Sequence, residues 1–323
     1  MPPKIPKISK QIYKEQALGV LINRYAYIGP HWILHQMEWT STIYESFKDH
    51  DKFLIIIYLT KKTLDFYSRN FTKLNYEQFY SKDTIEIEKF NVSEVAKKIN
   101  IPKESARRKI LELEESGVIR RFKKKFIIDR SAFPFIKPIK SIKRMSRFLA
   151  LFAKIAVEEK NLQKKLTSEN LEMIIKDNFS YVWKLFYELQ IPMMVNYKKV
   201  FGDIESFHIF GTCVVNQHYL YSKKLNVDNK DRKEFIYESF RDTEMQGLNA
   251  MSISDITGIP RATVVRKLKK LIKMNCLNIN NKKQYKLNGN FVKNLIPIQN
   301  NVLNQLADFS TRIFNSFTYL YGT

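Results

Sequence analysis

The stretch Asn91 to Ile119, NVSEVAKKINIPKESARRKILELEESGVI, decides the fold once it is set beside Ser252 to Leu277, SISDITGIPRATVVRKLKKLIKMNCL. From Ile101 and Ile259 onward the two run without a gap. They share Ile, Pro, Arg108 with Arg266, Lys109 with Lys267, and Leu113 with Leu271, and Ser105 stands opposite Thr263. A repeat of this size is one supersecondary unit used twice. Upstream, Asn91 to Ala96 is matched with Ser252 to Thr257. Each run opens on a cap residue followed three positions later by an acid, Glu94 or Asp255, a pattern that satisfies free amides at a helix start. In this alignment Lys97 to Ile99 have no counterpart, so the first helix of the second segment is expected to be shorter.

Each segment then reads as a short helix, a tight turn and a second helix that begins at proline, Pro102 or Pro260, a residue well tolerated at the first helical position. Ala106, Ile110 and Leu113, and equally Val264, Leu268 and Leu271, fall at helical spacing and form one buried stripe. The remaining face presents Lys103, Glu104, Arg107 and Arg108 in the first segment, and Arg261, Ala262, Thr263 and Arg266 in the second. That N-terminal half is the end that enters a major groove in helix-turn-helix docking. A β-hairpin follows in each case, VIRRFKKKFIID from Val118 and CLNINNKKQYKL from Cys276. Asn280-Asn281 can supply the positive φ of a tight turn, whereas the first hairpin turns through Lys123 to Lys125 without Gly or Asn. Arg120, Arg121, Lys123, Lys124, Lys125, Lys282, Lys283 and Lys286 are placed to meet phosphates.

At these residues the chain resembles the bacterial winged helix-turn-helix transcription regulators, the group that includes the catabolite-activator type. The resemblance covers the two segments, about a quarter of the chain. It implies that IPKESARR and IPRATVVR open recognition helices. Base edges would then be met by Lys103, Glu104 and Arg108 and by Arg261 and Arg266, with Ser105 and Thr263 in support; Arg107 and Thr263 are further candidates for base edges, and Ser105 and Lys267 for the phosphates. Ala262 departs from the pattern, since it can contact only a thymine methyl. The second unit therefore reads either bases or phosphates alone.

Around these segments, 323 residues with 44% hydrophobic and 13% aromatic content are enough for two or three domains with ordinary cores. Lys and Arg outnumber Asp and Glu by 55 to 32, a net charge of +23, which favours a polyanion as partner. The excess sits on the repeat: residues 91–130 carry 12 basic against 6 acidic side chains, and residues 251–290 carry 9 against 1. The expected division is a basic arm at 1–14, which lacks the apolar stretch of a signal peptide; a helical scaffold at 15–90; a first winged-helix unit at 91–132; and a linker at 133–141. A second helical scaffold follows at 142–250, then a second winged-helix unit at 251–290 and a C-terminal helix at 291–323. Two or three helices are expected between Glu15 and Ser81, with FLIIIYL at Phe53 to Leu59 as a buried element. Breaks are expected near Pro192 and at Gly202 to Asp203. No apolar run reaches 18 residues, so no membrane span is expected, and a cytoplasmic, nucleoid-associated protein fits. The nearly uncharged 291–323 suggests protein contact, including self-association.

Other patterns read as structure. Cys213 and Cys276 are far apart and form no CxxC pair. His31, His35 and Glu38 could share a helix face as metal ligands, but HWILHQMEW is apolar around them and packing is the simpler account; Cys213 near His208 reads the same way. YESF recurs at Tyr44 and Tyr237 without a constant distance to the repeat. For Arg108 the plain alternative is a surface pair with Glu104, and for Lys123 to Lys125 a solvated hairpin tip. No P-loop, GxSxG or HExxH motif occurs, so no enzyme and no cofactor are expected. The fold expected is mainly α, with tandem winged helix-turn-helix units, each preceded by a helical scaffold, and two short β-hairpin wings. The function expected is double-stranded DNA binding by a transcription regulator. A plasmid-type replication initiator or a protein-interaction scaffold are the alternatives.

Overall fold

A computed structural model describes residues 9, 11–123, 125–133, 137–224, 230–241 and 246–321, with side chains to Phe317. Most of the expected arm, Lys124 and the centre of the expected linker lie outside these residues. The protein is mainly helical with small antiparallel sheets. In chain order the elements are α1 (Lys14–Asn23), α2 (Tyr25–Phe47), α3 (His50–Arg69), α4 (Tyr76–Phe79), β1 (Thr84–Ile87), α5 (Val92–Ile99), α6 (Lys103–Glu115), β2 (Ile119–Phe122) and β3 (Lys125–Asp129). Then come α7 (Ile139–Glu158), α8 (Ser168–Asp177), α9 (Phe179–Phe201), α10 (Ile204–Ser222), α11 (Arg232–Arg241), α12 (Ala250–Thr257), α13 (Arg261–Lys273), β4 (Leu277–Ile279), β5 (Tyr285–Leu287) and α14 (Val292–Tyr321). The chain forms two compact units, each assembled from separated segments: Met1–Glu38, Ser141–Ile174 and Ser206–Thr323 in one, Trp39–Lys140 and Ile175–Glu205 in the other.

The unit built on Trp39–Lys140 holds the first repeat. Its centre is α3, whose Asp49 cap accepts from the amides of Asp51 and Lys52 at 2.9 and 3.2 Å. The apolar run inside α3 is buried at Leu54, Ile55, Ile56, Ile57 and Leu59, because α9 covers one side while α5 and α6 cover another. Burying each such side chain contributes about 1.5–3 kcal/mol. Pro192, expected to break the helix, lies within an unbroken α9. It sits on the exposed side, and burial of Leu189, Ile191, Met193 and Met194 outweighs the one amide that proline cannot donate. Gly202 ends α9 in the left-handed conformation, as the break there requires.

The unit that ends in α14 holds the second repeat. α14 packs along α1, and Asn315 ties the pair by bonding both the amide and the carbonyl of Ile12 at 2.9 and 3.0 Å. The apolar face of α14, including Leu306, Ala307, Ile313 and Phe314, is thus covered within its own unit. α7 is amphipathic, burying Phe148, Leu149, Phe152 and Ala153.

Candidate nucleic-acid interface

The two repeats match more closely than their sequences suggested. Asn91 caps α5 by accepting from the Glu94 amide at 2.7 Å, and the corresponding cap is Asn249, which accepts from the Ser252 amide at 2.9 Å. The cap of α12 therefore lies three residues before the expected Ser252, and both helices are 8 residues long. No deletion separates the repeats: Asn91 answers Asn249, Asn100 answers Gly258, and Pro102 answers Pro260. The alignment on acids was misleading because the two acids do different things. Glu94 does not close a capping box. Tyr58 and Lys62 of α3 donate to its carboxylate at 2.6 and 2.9 Å, which ties α5 to α3. Partial burial pushes the Glu94 pKa up, but these bonds outweigh it and hold the group below its ordinary range.

The turn that follows is left-handed in both repeats, φ 54° at Asn100 and 69° at Gly258. α6 and α13 then start immediately after their prolines, run 13 residues each, and bury the expected stripes. Each ends at a positive-φ residue, Gly117 or Asn275, which turns the chain into its hairpin. In the first hairpin Phe122 pairs with Lys125 and Lys123 takes φ 56°. In the second the positive φ falls on Lys283, not on Asn280-Asn281 as expected. The Asn280 carboxamide accepts from the Lys282 and Gln284 amides at 3.0 and 2.9 Å, which makes a turn one residue longer and shifts the left-handed position to its end. β3 is central in a three-stranded sheet, order β1-β3-β2. In the second repeat the described residues show a single bridge to β5, Leu248 to Tyr285. Gly247 permits it, since a Cβ there would collide with the Tyr285 carbonyl oxygen.

Lys103, Glu104, Arg107 and Arg108 are exposed on α6, with Ser105 half-buried; Arg261 and Arg266 are exposed on α13, with Thr263 and Lys267 half-buried. Arg120, Arg121, Lys123 and Lys125, and Lys282 and Lys283, are exposed on the hairpins, while Lys286 is half-buried. The two repeats differ in the acids their sequences hold. In the first, Arg107 lies 3.9 Å from Glu104, Arg108 3.7 Å from Glu112, Arg120 2.6 Å from Asp129, Arg121 2.8 Å from Glu114 and Lys125 2.9 Å from Glu86. Arg108 thus pairs forward with Glu112, not back with Glu104. Lys109 is turned inward and bound by Asp49 at the cap of α3. In the second repeat Asp255 is the one acid between Asn249 and Asn288.

No family model, curated protein or solved structure matches this chain.

Among the described residues no group of three or more His, Cys, Asp or Glu side chains is placed to hold a metal ion, and no helix is long and apolar enough to cross a membrane. His31 and Glu38 are exposed, whereas His35 is buried against Trp32 with ring centroids 5.4 Å apart. Burial, with Arg144 nearby, lowers the His35 pKa to about 3. Cys213 and Cys276 are buried thiols pushed up to about 12 by burial, far from the low values that mark reactive cysteines. Sequence reasoning passed over two exposed cations, Lys269 and Lys273 on α13, because they fall outside the stretch carried over from the family pattern. Helical spacing from Arg266 was the signal that could have found them.

Proposed function

We propose that this chain binds double-stranded DNA through two winged-helix units, centred on α5–α6 with β2–β3 and on α12–α13 with β4–β5, and acts as a transcription regulator. The observation that carries this reading is the recurrence, in one element order, of an exposed helix end and hairpin rich in Lys and Arg. Phosphates take up such cations by releasing condensed counterions, and an exposed helix start can enter a major groove. Because Lys103 and Glu104 stand where the second repeat has Arg261 and Ala262, the two units read different bases and the preferred site is asymmetric.

The test is binding to mixed genomic fragments across a salt series. The expected result is a log–log slope of about −5 or steeper, with Arg108→Ala and Arg266→Ala each relaxing sequence preference. Selection from random duplexes should return a non-palindromic site. Binding that ignores salt, with neither substitution mattering, overturns the proposal. A second reading, winged helices that dock on protein, is favoured for the first repeat by one observation: its wing cations Arg120, Arg121 and Lys125 each already meet a carboxylate. A purified partner that binds residues 91–130 and is displaced by charge reversal at Glu86 or Glu114 would support it.

A further inference from the structure

The exposed ridge of α13 carries more than a reading head. Positions 266, 269 and 273 follow one another at spacings of three and four and so form one continuous stripe along the helix. In α13 these positions are Arg266, Lys269 and Lys273, all exposed. The equivalent stripe of α6 is Arg108, Leu111 and Glu115, also exposed, with Leu111 45% accessible. Counted whole, α6 sets Lys103, Arg107, Arg108 and Lys109 against Glu104, Glu112, Glu114 and Glu115, and is neutral. α13 has Arg261, Arg266, Lys267, Lys269, Lys270 and Lys273 and no acid. The hairpins extend the contrast, since the exposed tip cations Lys282 and Lys283 stand in a hairpin, residues 276–287, that contains no acid, while Arg120 and Arg121 meet Asp129 and Glu114 of their own repeat.

Resting on the DNA reading above, we propose that the second repeat is an electrostatic anchor that grips the phosphate backbone, with Lys269 and Lys273 as phosphate-binding residues. The first repeat adds little charge-driven affinity. A cationic stripe that runs the length of a helix can meet phosphates well beyond the few base pairs at the helix start. A neutral helix whose stripe ends in Leu111 and Glu115 cannot, because an acid at the stripe's end repels the backbone. The plain alternative is that Lys270 and Lys273 only complement the negative end of the α13 dipole. That role would appear in stability and not in salt dependence.

The experiment compares the full chain with Lys269→Gln/Lys273→Gln and with Arg107→Gln/Arg108→Gln, measuring affinity for a random-sequence duplex across salt together with melting temperature. The α13 pair should make the log–log slope shallower by about two, the value for two lost phosphate contacts, and weaken binding at low salt by tenfold or more. The α6 pair should change the slope by less than about one. The charge graft Leu111→Lys/Glu115→Lys should steepen the slope. Equal losses from the two pairs, or a fall in melting temperature with the slope unchanged for the α13 pair, overturns the anchor while leaving the DNA reading intact. A wild-type chain that shows no salt-dependent binding overturns both.

Discussion

Asn100 and Gly258 occupy the same point of the two repeats, in a conformation where a β-branched side chain clashes with its own backbone. Open space surrounds the position a Cβ would take at Gly258, so packing places no limit there and only φ matters. Asn is the residue the other repeat uses for the same turn. Gly258→Asn should therefore be nearly neutral, whereas Gly258→Val should cost about 1–3 kcal/mol, read as a lower melting temperature. Equal stability for the two variants would show that the turn is not held left-handed. The same logic places Lys283, not an Asn, at the end of the second hairpin turn: Asn280 uses its carboxamide to bind the loop, and the left-handed position passes to an exposed lysine.

Among the elements, α3 holds the first repeat through ion pairs as well as through its apolar side chains. Asp49 both caps α3 and binds Lys109 of α6, while Lys52 bonds Glu112 at 2.8 Å and Lys198 bonds Asp51 at 2.6 Å. Asp49→Ala removes a cap worth about 1 kcal/mol and leaves the nearly buried Lys109 dependent on Asp51 alone. The expected total loss is roughly 2–3 kcal/mol, with α6 amides losing hydrogen-exchange protection before those of α9; uniform protection across both would refute the tether. The mainly helical character and the small antiparallel hairpins were legible from period and turn residues, because both depend on local chemistry. The start of α12 was not. Asn249 and Ser252 are both good caps, and only the left-handed turn three residues beyond Asp255 decides between them. Pro192 misled for a different reason, since tertiary burial around α9 supplies more than a single missing hydrogen bond removes. The ion pairs that quiet the first repeat were also invisible, as Glu86 and Asp129 approach Lys125 and Arg120 only through strand pairing.

For the molecule as a whole, the unit carrying the second repeat holds His35 and His218 buried, and burial lowers both to about 3. Between that value and the ordinary 6.5 of an exposed imidazole, the unfolded chain binds protons that the native one refuses. Stability therefore falls as pH falls through this window, by up to about 2 kcal/mol per histidine at pH 5. Melting at pH 7.5 and 5.0 should show the loss, and His35→Asn/His218→Asn should flatten it; an unchanged pH dependence in that variant rules out the two imidazoles as its source. Each unit is also stitched from separated stretches of chain, and α1 lies against α14. On the ribosome that arrangement imposes an order of events. At about 5–20 residues per second, α1 waits on the order of tens of seconds for its partner. During that interval α1 lacks the cover that α14 gives it in the folded chain, and a helix made early is among the last to be locked in place.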